Sequence, residues 1–441
     1  MRLPALIKNK VFGNAAWIIG CKLVQAVLNL VITMLTARFF GASTFGVINY
    51  ADSVVSFLAP VMELGLAGIL VHELIEHPEE EGRILGTSVM MSVVSSFFCI
   101  GGVVAFASVA NAGEPVTIAV CALYSISLLF RAIELFRYWF QAKYLSRDFA
   151  VVSLIAYVLV SSYKIVLLAL RLDVRFFAMA FALDYTLIDL LLLILYKKRG
   201  GMRIAFSWRI ARRMLKQSKY YILSELMVVI FAQTDKIMLK LMVGDAECGF
   251  YSAAATCAAM TGFVFQAIVD AFRPYIFESL KKSRELFELS VKRLYSVLIY
   301  ACLLESVALA ALARVAILIL YGDGYLASVP ILRVSVWYMT FSFLGVVRNI
   351  WLLAEGKQKY QWTINLCGAI ANVVLNALLI PHLGGVGAAL ASLATQMFTN
   401  VIVGFILPPL RPNNRLMLSA LHPKHLFGIL RIGKEEPTVA P

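Results

Sequence analysis

The sequence predicts an all-α polytopic membrane protein, with twelve spanning helices in two pseudo-symmetric lobes of six. Three observations carry that prediction. Of the 441 residues, 61% are hydrophobic and the mean hydropathy is +0.82, whereas a soluble domain holds roughly 45–50% apolar residues. Twelve apolar runs recur along the chain, each near the length of about 20 residues that crosses a bilayer. A single long basic segment, 197–219, separates six runs from the other six.

In order, the runs occupy 11–38, 46–71, 84–110, 116–140, 149–170, 176–196, 220–243, 249–272, 294–320, 327–353, 360–380 and 385–407. This divides the chain into an N-lobe (1–196), a basic inter-lobe segment (197–219), a C-lobe (220–410) and a C-terminal tail (411–441). Orientation follows from the 40 Lys and Arg residues. With the N-terminus inside, 29 of them fall in cytoplasmic segments and three (Arg38, Arg171, Arg175) outside. Both termini are therefore expected in the cytoplasm. The pI of 9.4 reflects orientation and contact with anionic membrane lipids, and gives no reason to expect nucleic acid. One segment breaks the pattern: HELIEHPEEEGR (72–83) is acidic on the side expected to be basic.

The segment KKRGGMRIAFSWRIARRMLKQSK (197–219) places Phe206, Ile210 and Met214 at i, i+4, i+8 among Arg209, Arg212, Arg213 and Lys216. It reads either as an amphipathic interfacial helix or as a plain basic loop. The halves also resemble each other. FFGASTFGVINYA follows the first run and MVGDAECGFYSAA the seventh, so Gly41 and Gly46 match Gly244 and Gly249 at a common offset of 203. Both pairs fall outside, which makes the repeat parallel about an axis along the membrane normal.

Charges inside the runs are costly, roughly 2.5–3.5 kcal/mol each at mid-bilayer. Lys22, Gln25, Asn29, Thr33 and Thr36 share one helical face. Glu225, Gln233, Lys236 and Lys240 share another, with Asp235 beside it. The offset equates Lys22 with Glu225 and Thr33 with Lys236, so the two faces are expected to look at each other across a central cavity. Arg131 and Glu134 stand i, i+3 and read as a structural ion pair. Lys164, Arg314, Arg333, Arg348, Glu63, Asp184, Asp189 and Glu305 complete the intramembrane set, with Arg314 and Asp189 near enough to helix ends to snorkel.

Enzymatic motifs are scarce. HELIE (72–76) departs from the zinc-binding HExxH at its fifth position, and His72 and His77 are poorly spaced for joint ligation. No P-loop, dinucleotide fingerprint or long external loop is present. No catalytic residue, metal or cofactor is expected. The seven cysteines lie mostly inside apolar runs and imply no disulfide framework.

Six stretches carry a resemblance. They are ARFFGASTFGVINYA (37–51), RYWFQAKYLSRD (137–148), QTDKIMLKLMVGDAECGFYSAA (233–254), YGDGYLASVPILRV (321–334), RNIWLLAEGKQKYQW (348–362) and NVVLNALLIPHLGGVGAALAS (372–392). In order and spacing they resemble the polysaccharide repeat-unit flippases, the Wzx-type O-antigen and exopolysaccharide translocases of the MATE-like MOP exporter superfamily. The resemblance spans nearly the whole chain. It implies a MATE-like fold, alternating access and a bacterial inner-membrane location, with no enzymatic activity. The implied substrate is an undecaprenyl-diphosphate-linked oligosaccharide, moved to the external leaflet with proton or sodium coupling beside other polysaccharide assembly proteins. Twelve runs argue against the lipid II flippases, which have fourteen.

For such a substrate the phosphates need cations in a hydrated groove. The candidates are Lys22, Arg131, Lys236, Lys240, Arg333 and Arg348, with Glu63, Glu225, Asp235 and Glu305 as candidates for the coupling ion. Two alternatives stand beside this reading. One is a cation-coupled multidrug exporter on the same fold, which would favour an acidic aromatic cavity. The other is a membrane-embedded polymerase or glycosyltransferase, which would favour a long external loop with paired carboxylates.

Overall fold

The computed structural model describes residues 5–422. Its helices are α1 (Ala5–Met62), α2 (Leu70–Glu76), α3 (Glu81–Ala110), α4 (Pro115–Ser125), α5 (Ser127–Arg131), α6 (Arg137–Ala142), α7 (Ser146–Ala169) and α8 (Val174–Lys198). After them come α9 (Trp208–Met242), α10 (Asp245–Ala259), α11 (Gly262–Lys282), α12 (Arg284–Leu320) and α13 (Ser328–Ala354). The last are α14 (Lys359–Met397), α15 (Val403–Ile406) and α16 (Arg411–Ser419). Among the described residues there is no strand.

Among the described residues, nine stretches are long and apolar enough to cross a membrane. Two of them, Gly20–Met62 at 43 residues and Lys359–Ile406 at 48, would run about 65 and 72 Å at 1.5 Å per residue, twice the hydrocarbon thickness of roughly 30 Å. Each is broken by a non-helical glycine, Gly41 (φ 73°, ψ 174°) and Gly384 (φ 54°, ψ −133°). Each therefore makes two crossings. Helix α9, 35 residues long, is long enough to span but too charged to stand among the nine. Counting the two broken stretches twice and adding α9 gives twelve crossings among the described residues.

The chain divides into two compact units, Met1–Gly249 and Phe250–Pro441. In the first, the second crossing ends at Met62 rather than near 71, because Leu64 (φ 53°) and Gly65 (φ 62°) adopt left-handed backbone. The fourth run is interrupted. The Ser125 and Ser127 hydroxyls donate to the Ala122 and Tyr124 carbonyls at 2.7 and 2.6 Å, competition that bends a helix, and a 3-10 turn (Ile133–Phe136) follows α5. A cluster of Leu66, Leu70, Ile84, Phe136, Trp139, Tyr196, Ile210 and Met214 forms one core of this unit.

That core corrects the reading of 206–214 as one stripe on one surface. Ile210 and Met214 are 1% and 0% exposed, so they face protein, while Phe206 is 41% exposed. The segment runs without helix to Ser207 and continues as the first turns of α9.

In the second unit, α12, α13 and α16 share a core that includes Tyr295, Leu298, Trp351 and Met417. Tyr295 donates to Asn413 at 3.0 Å. The tail expected from 411 thus begins as a packed helix, and its part from 423 onward lies outside the described residues. A π-helical turn, Phe398–Ile402, interrupts the last crossing.

Candidate functional site

The interior of the first unit collects charge from six helices and a 3-10 turn. Arg131, at the end of α5, places Nη2 3.4 Å from Glu63 Oε1, and its guanidinium lies 5.5 Å from the centre of the Tyr185 ring. Arg137 pairs with Glu134 at 2.9 Å and donates to the Tyr138 hydroxyl at 2.6 Å. Asp52 on α1 lies within electrostatic range of Lys236, Arg131 and Lys164. Lys164 is in turn within range of Asp184, and its ammonium sits 5.5 Å from the Phe177 ring centre. Glu225 is within range of Glu63 and Arg137. Four cations and five carboxylates thus occupy one neighbourhood in the membrane-spanning part of the unit. Beside them an apolar cavity of about 390 Å³ is lined by Val54, Phe57, Leu58, Phe106, Thr234 and Ile237.

This arrangement corrects two expectations. Arg131 is not paired with Glu134. The 3-10 turn between them ends the α-helical register, so Glu134 meets Arg137, its own i, i+3 neighbour, and Arg131 is left for Glu63 across the unit. Asp189 does not snorkel. It is 2% exposed, and neither carboxylate oxygen has a hydrogen-bond partner. Asp52 is the residue sequence reasoning missed; no charged neighbour on its own helix face marks it.

The other candidates are spread more widely. Lys22 is exposed, Asn29 accepts from Tyr157 at 3.0 Å, and Thr36 bonds to the Ile32 carbonyl. Asp235 is buried and Lys236 half-buried. Lys240 lies elsewhere: its ammonium is 2.6 Å from Glu114 Oε2 and 2.8 Å from Asp245 Oδ1, at the end of α9. The Lys240 hydrogen bond holds the Glu114 carboxyl below its ordinary value. In the second unit, Arg333 and Arg314 are exposed. Arg348 is 4% exposed and donates to the Thr399 carbonyl at 2.7 Å, in the π-helical turn. Glu305 accepts from Thr261 at 2.7 Å, and its other oxygen is buried without a partner. Within the first unit the structure therefore gathers Arg131, Glu63, Glu225 and Lys236, and ties Lys240 to Glu114 and Asp245; Arg333, Arg348 and Glu305 belong to the second unit. Among the described residues no group of three His, Cys, Asp or Glu side chains is placed to hold a metal.

The repeat glycines meet face to face. A Cβ on Gly46 would lie 1.8 Å from the Asp245 carbonyl oxygen, and one on Gly249 would lie 2.0 Å from that of Ala42. Residues 42 and 46 plus 203 are 245 and 249, so the contact is reciprocal, the signature of a local twofold. Cys248 joins it, buried, with Sγ 3.6 Å from the Gly46 carbonyl.

The acidic 72–83 segment has found its partners. Glu73 is 2.8 Å from Arg213, Glu80 is 2.7 Å from Arg209 and 3.5 Å from Arg213, and Glu81 is 2.9 Å from Lys143. The extended chain before α9 lies across α3 so closely that a Cβ on Gly82 or Gly86 would meet the Arg203 or Ala205 carbonyl at 2.3 or 2.4 Å. Ala205 and Ser207 donate their backbone N–H groups to the Gly82 carbonyl (3.2 Å) and the Thr87 hydroxyl (3.0 Å). Acid on the basic side is thus a clip for the basic segment.

The model of a family described as "Polysaccharide biosynthesis protein" matches residues 11–280. No curated protein sequence matches significantly. Among solved structures, the lipid II flippase MurJ in an inward closed conformation is similar with a TM-score of 0.73 at 13% identity, covering 95% of this chain and 93% of that one. An inward-facing multidrug resistance MATE family transporter of the MOP superfamily gives 0.66 at 15%, covering 94% and 96%. A MOP superfamily transporter from Pyrococcus furiosus, whose binding pocket is described as of reverse polarity, gives 0.60 at 14%, covering 90% and 95%. These likenesses establish the fold as the MOP fold.

Proposed function

The chain belongs to the polysaccharide biosynthesis protein family, and from that premise we propose that it is a flippase for undecaprenyl-diphosphate-linked oligosaccharides. It would carry them from the cytoplasmic to the external leaflet of a bacterial inner membrane, for O-antigen, capsule or exopolysaccharide assembly. The observation that carries the reading is the cationic part of the first unit's interior: Arg131, Arg137, Lys164 and Lys236, with only two of them in direct ion pairs. A diphosphate cannot enter hydrocarbon bare, and a site that binds and releases it needs cations whose charge is balanced when the site is empty. Asp52, near three of these cations, supplies such a balance.

In this mechanism Lys236 and Lys164 engage the phosphates and Asp52 gives way, while Arg131 stays tied to Glu63. The carboxylates then become the coupling sites for a proton or sodium ion, Asp52 joining Glu63, Glu225 and Asp235. Access to the site alternates between leaflets. The multidrug-exporter reading is favoured by the same carboxylates and by Tyr124 and Tyr185 near Asp52. It predicts that an acid-to-neutral change abolishes export of cationic drugs and that Lys236 is dispensable.

The test is complementation of surface polysaccharide in a flippase-deficient strain at matched membrane expression. Lys236→Arg should retain much of the function, Lys236→Ala should lose a contact worth roughly 1.5–3 kcal/mol, and Lys236→Glu should be worst by adding repulsion. A folded, fully active Lys236→Ala variant removes Lys236 from the site and the proposed mechanism with it.

A further inference from the structure

The first turns of α9 carry a feature that neither the clip nor the interior site uses. Ile210, Met214 and Ser218 form the buried stripe, and Arg209 and Arg213 are held by Glu80 and Glu73. A third stripe, Trp208, Arg212 and Lys216 at i, i+4, i+8, is exposed, and Trp208 is 80% so. Arg212 and Lys216 have no acidic partner among the described residues. Together with Arg209 and Arg213, these three side chains line an open cavity of about 570 Å³.

The approach to that cavity is apolar. The extended chain before α9 exposes much of Met202, Ile204 and Phe206. Phe206 meets the Trp208 ring edge-on at 5.2 Å. The Arg203 and Ala205 backbone and the inner side-chain atoms of Met202 and Ile204 are fixed against Gly82 and Gly86, while all three apolar side chains keep an exposed part. Helix α9 has 35 residues and about 20 suffice to cross the core, which leaves its first turns at headgroup depth. An indole beside two unpaired cations, flanked by a fixed row of apolar side chains, suits a headgroup layer, where Trp is enriched and Lys and Arg meet anionic lipid.

We propose that Trp208, Arg212 and Lys216 form a binding site for the phosphate of an anionic phospholipid in the adjoining leaflet, with Met202, Ile204 and Phe206 seated against its acyl chains. The site depends on the membrane-spanning fold and not on the flipped substrate, so it stands or falls separately from the function proposed above. The acid clip has a defined part in it. By engaging Arg209 and Arg213, Glu80 and Glu73 fix the helix face and leave the two outer cations for the lipid.

The test uses the full chain in nanodiscs of phosphatidylcholine containing an increasing fraction of either phosphatidylglycerol or phosphatidylcholine brominated high on the acyl chain. The signal is the Trp208 contribution to fluorescence, isolated by subtracting Trp208→Phe. Brominated phosphatidylglycerol should quench at a mole fraction roughly thirtyfold lower than brominated phosphatidylcholine, from two cations acting near the surface. Arg212→Gln with Lys216→Gln should bring the two lipids to parity, and Arg212→Lys with Lys216→Arg should keep the preference. Both positions are exposed, so the neutral variant is expected to fold, which size-exclusion checks. Equal quenching by both lipids in the unaltered protein overturns the proposal. So does a preference untouched by the neutral pair, or displacement of the lipid by millimolar inorganic pyrophosphate, which would mark a site for a soluble anion.

Discussion

Two lysines in QTDKIMLKLM stand one turn apart, and the structure gives them opposite work. Lys240 is 6% exposed, and its ammonium touches two carboxylates, Glu114 at 2.6 Å and Asp245 at 2.8 Å. Lys236 is half-buried, has no ion pair among the described residues, and acts on Asp52 at longer range. Lys240→Met keeps the length of the side chain and removes the charge. Each lost bond to a charged partner is worth about 1.5–3 kcal/mol, but the Glu114 side chain is 44% exposed and regains water, so its share falls to a surface value of about 0.5–1 kcal/mol. Asp245 is 26% exposed and keeps the low end of the range. The expected loss is about 2–3 kcal/mol of stability, with Lys240→Arg recovering part of it.

The pH dependence has a definite sign. Glu114 is held below its ordinary value by Lys240, so the pair stabilises fully above the unfolded carboxyl's pKa, and that contribution fades as pH falls through the lower folded value. The gap between the unaltered protein and Lys240→Met in thermal unfolding should therefore be wide at pH 7 and close in the acid range below the ordinary Glu value. Lys236→Met should unfold like the parent at both pH values while failing in transport. The reasoning is refuted if Lys236→Met destabilises as much as Lys240→Met, or if Lys240→Met is fully stable.

Two further predictions follow from close contacts. Gly46→Ala and Gly249→Ala each require backbone groups to separate by more than about 1 Å, an overpacking cost of about 1–3 kcal/mol; unchanged folded yield in both would show that the repeat turns do not rely on that approach. Glu80→Lys replaces two ion pairs with repulsion, so limited proteolysis should cut between 199 and 206 faster than in the parent, and a Glu80→Gln variant should fall between; equal cleavage in all three would dismiss the clip.

Legibility in the sequence followed the physics of each signal. Apolar runs report directly on solvent, and most of the long apolar helices lie where hydropathy puts them, the second crossing ending early at Met62. The glycine offset of 203 was legible because close approach admits only one residue type. Ile210 and Met214 misled because an apolar stripe on a basic helix looks the same whether it meets lipid or protein; only the acidic partners at 73 and 80, more than a hundred residues away, decide it. Arg131 and Glu134 misled because i, i+3 spacing presumes an unbroken α-helix, and serines at 125 and 127 break this one. Asp52 stayed hidden because its significance lies in Lys236, Arg131 and Lys164, which come from three other helices.

The repeat itself explains how one scaffold can hold such an uneven set of charges. At the contact, the backbone obeys the twofold closely: Ala42 answers Asp245, and Gly46 answers Gly249. One helix further in, the same offset turns Lys22 into Glu225 and Thr33 into Lys236. Where backbone meets backbone, any added side chain is excluded and the two copies stay alike. Where side chains face the interior, a ligand with a charged head and an apolar tail makes different demands of each copy. Unlike walls about a symmetric backbone contact suit the lipid-linked substrate proposed above. On that argument, exchanging the two equivalent positions, Thr33→Lys with Lys236→Thr, should disturb transport in the complementation assay, while Gly46→Ala and Gly249→Ala should cost folded yield alike.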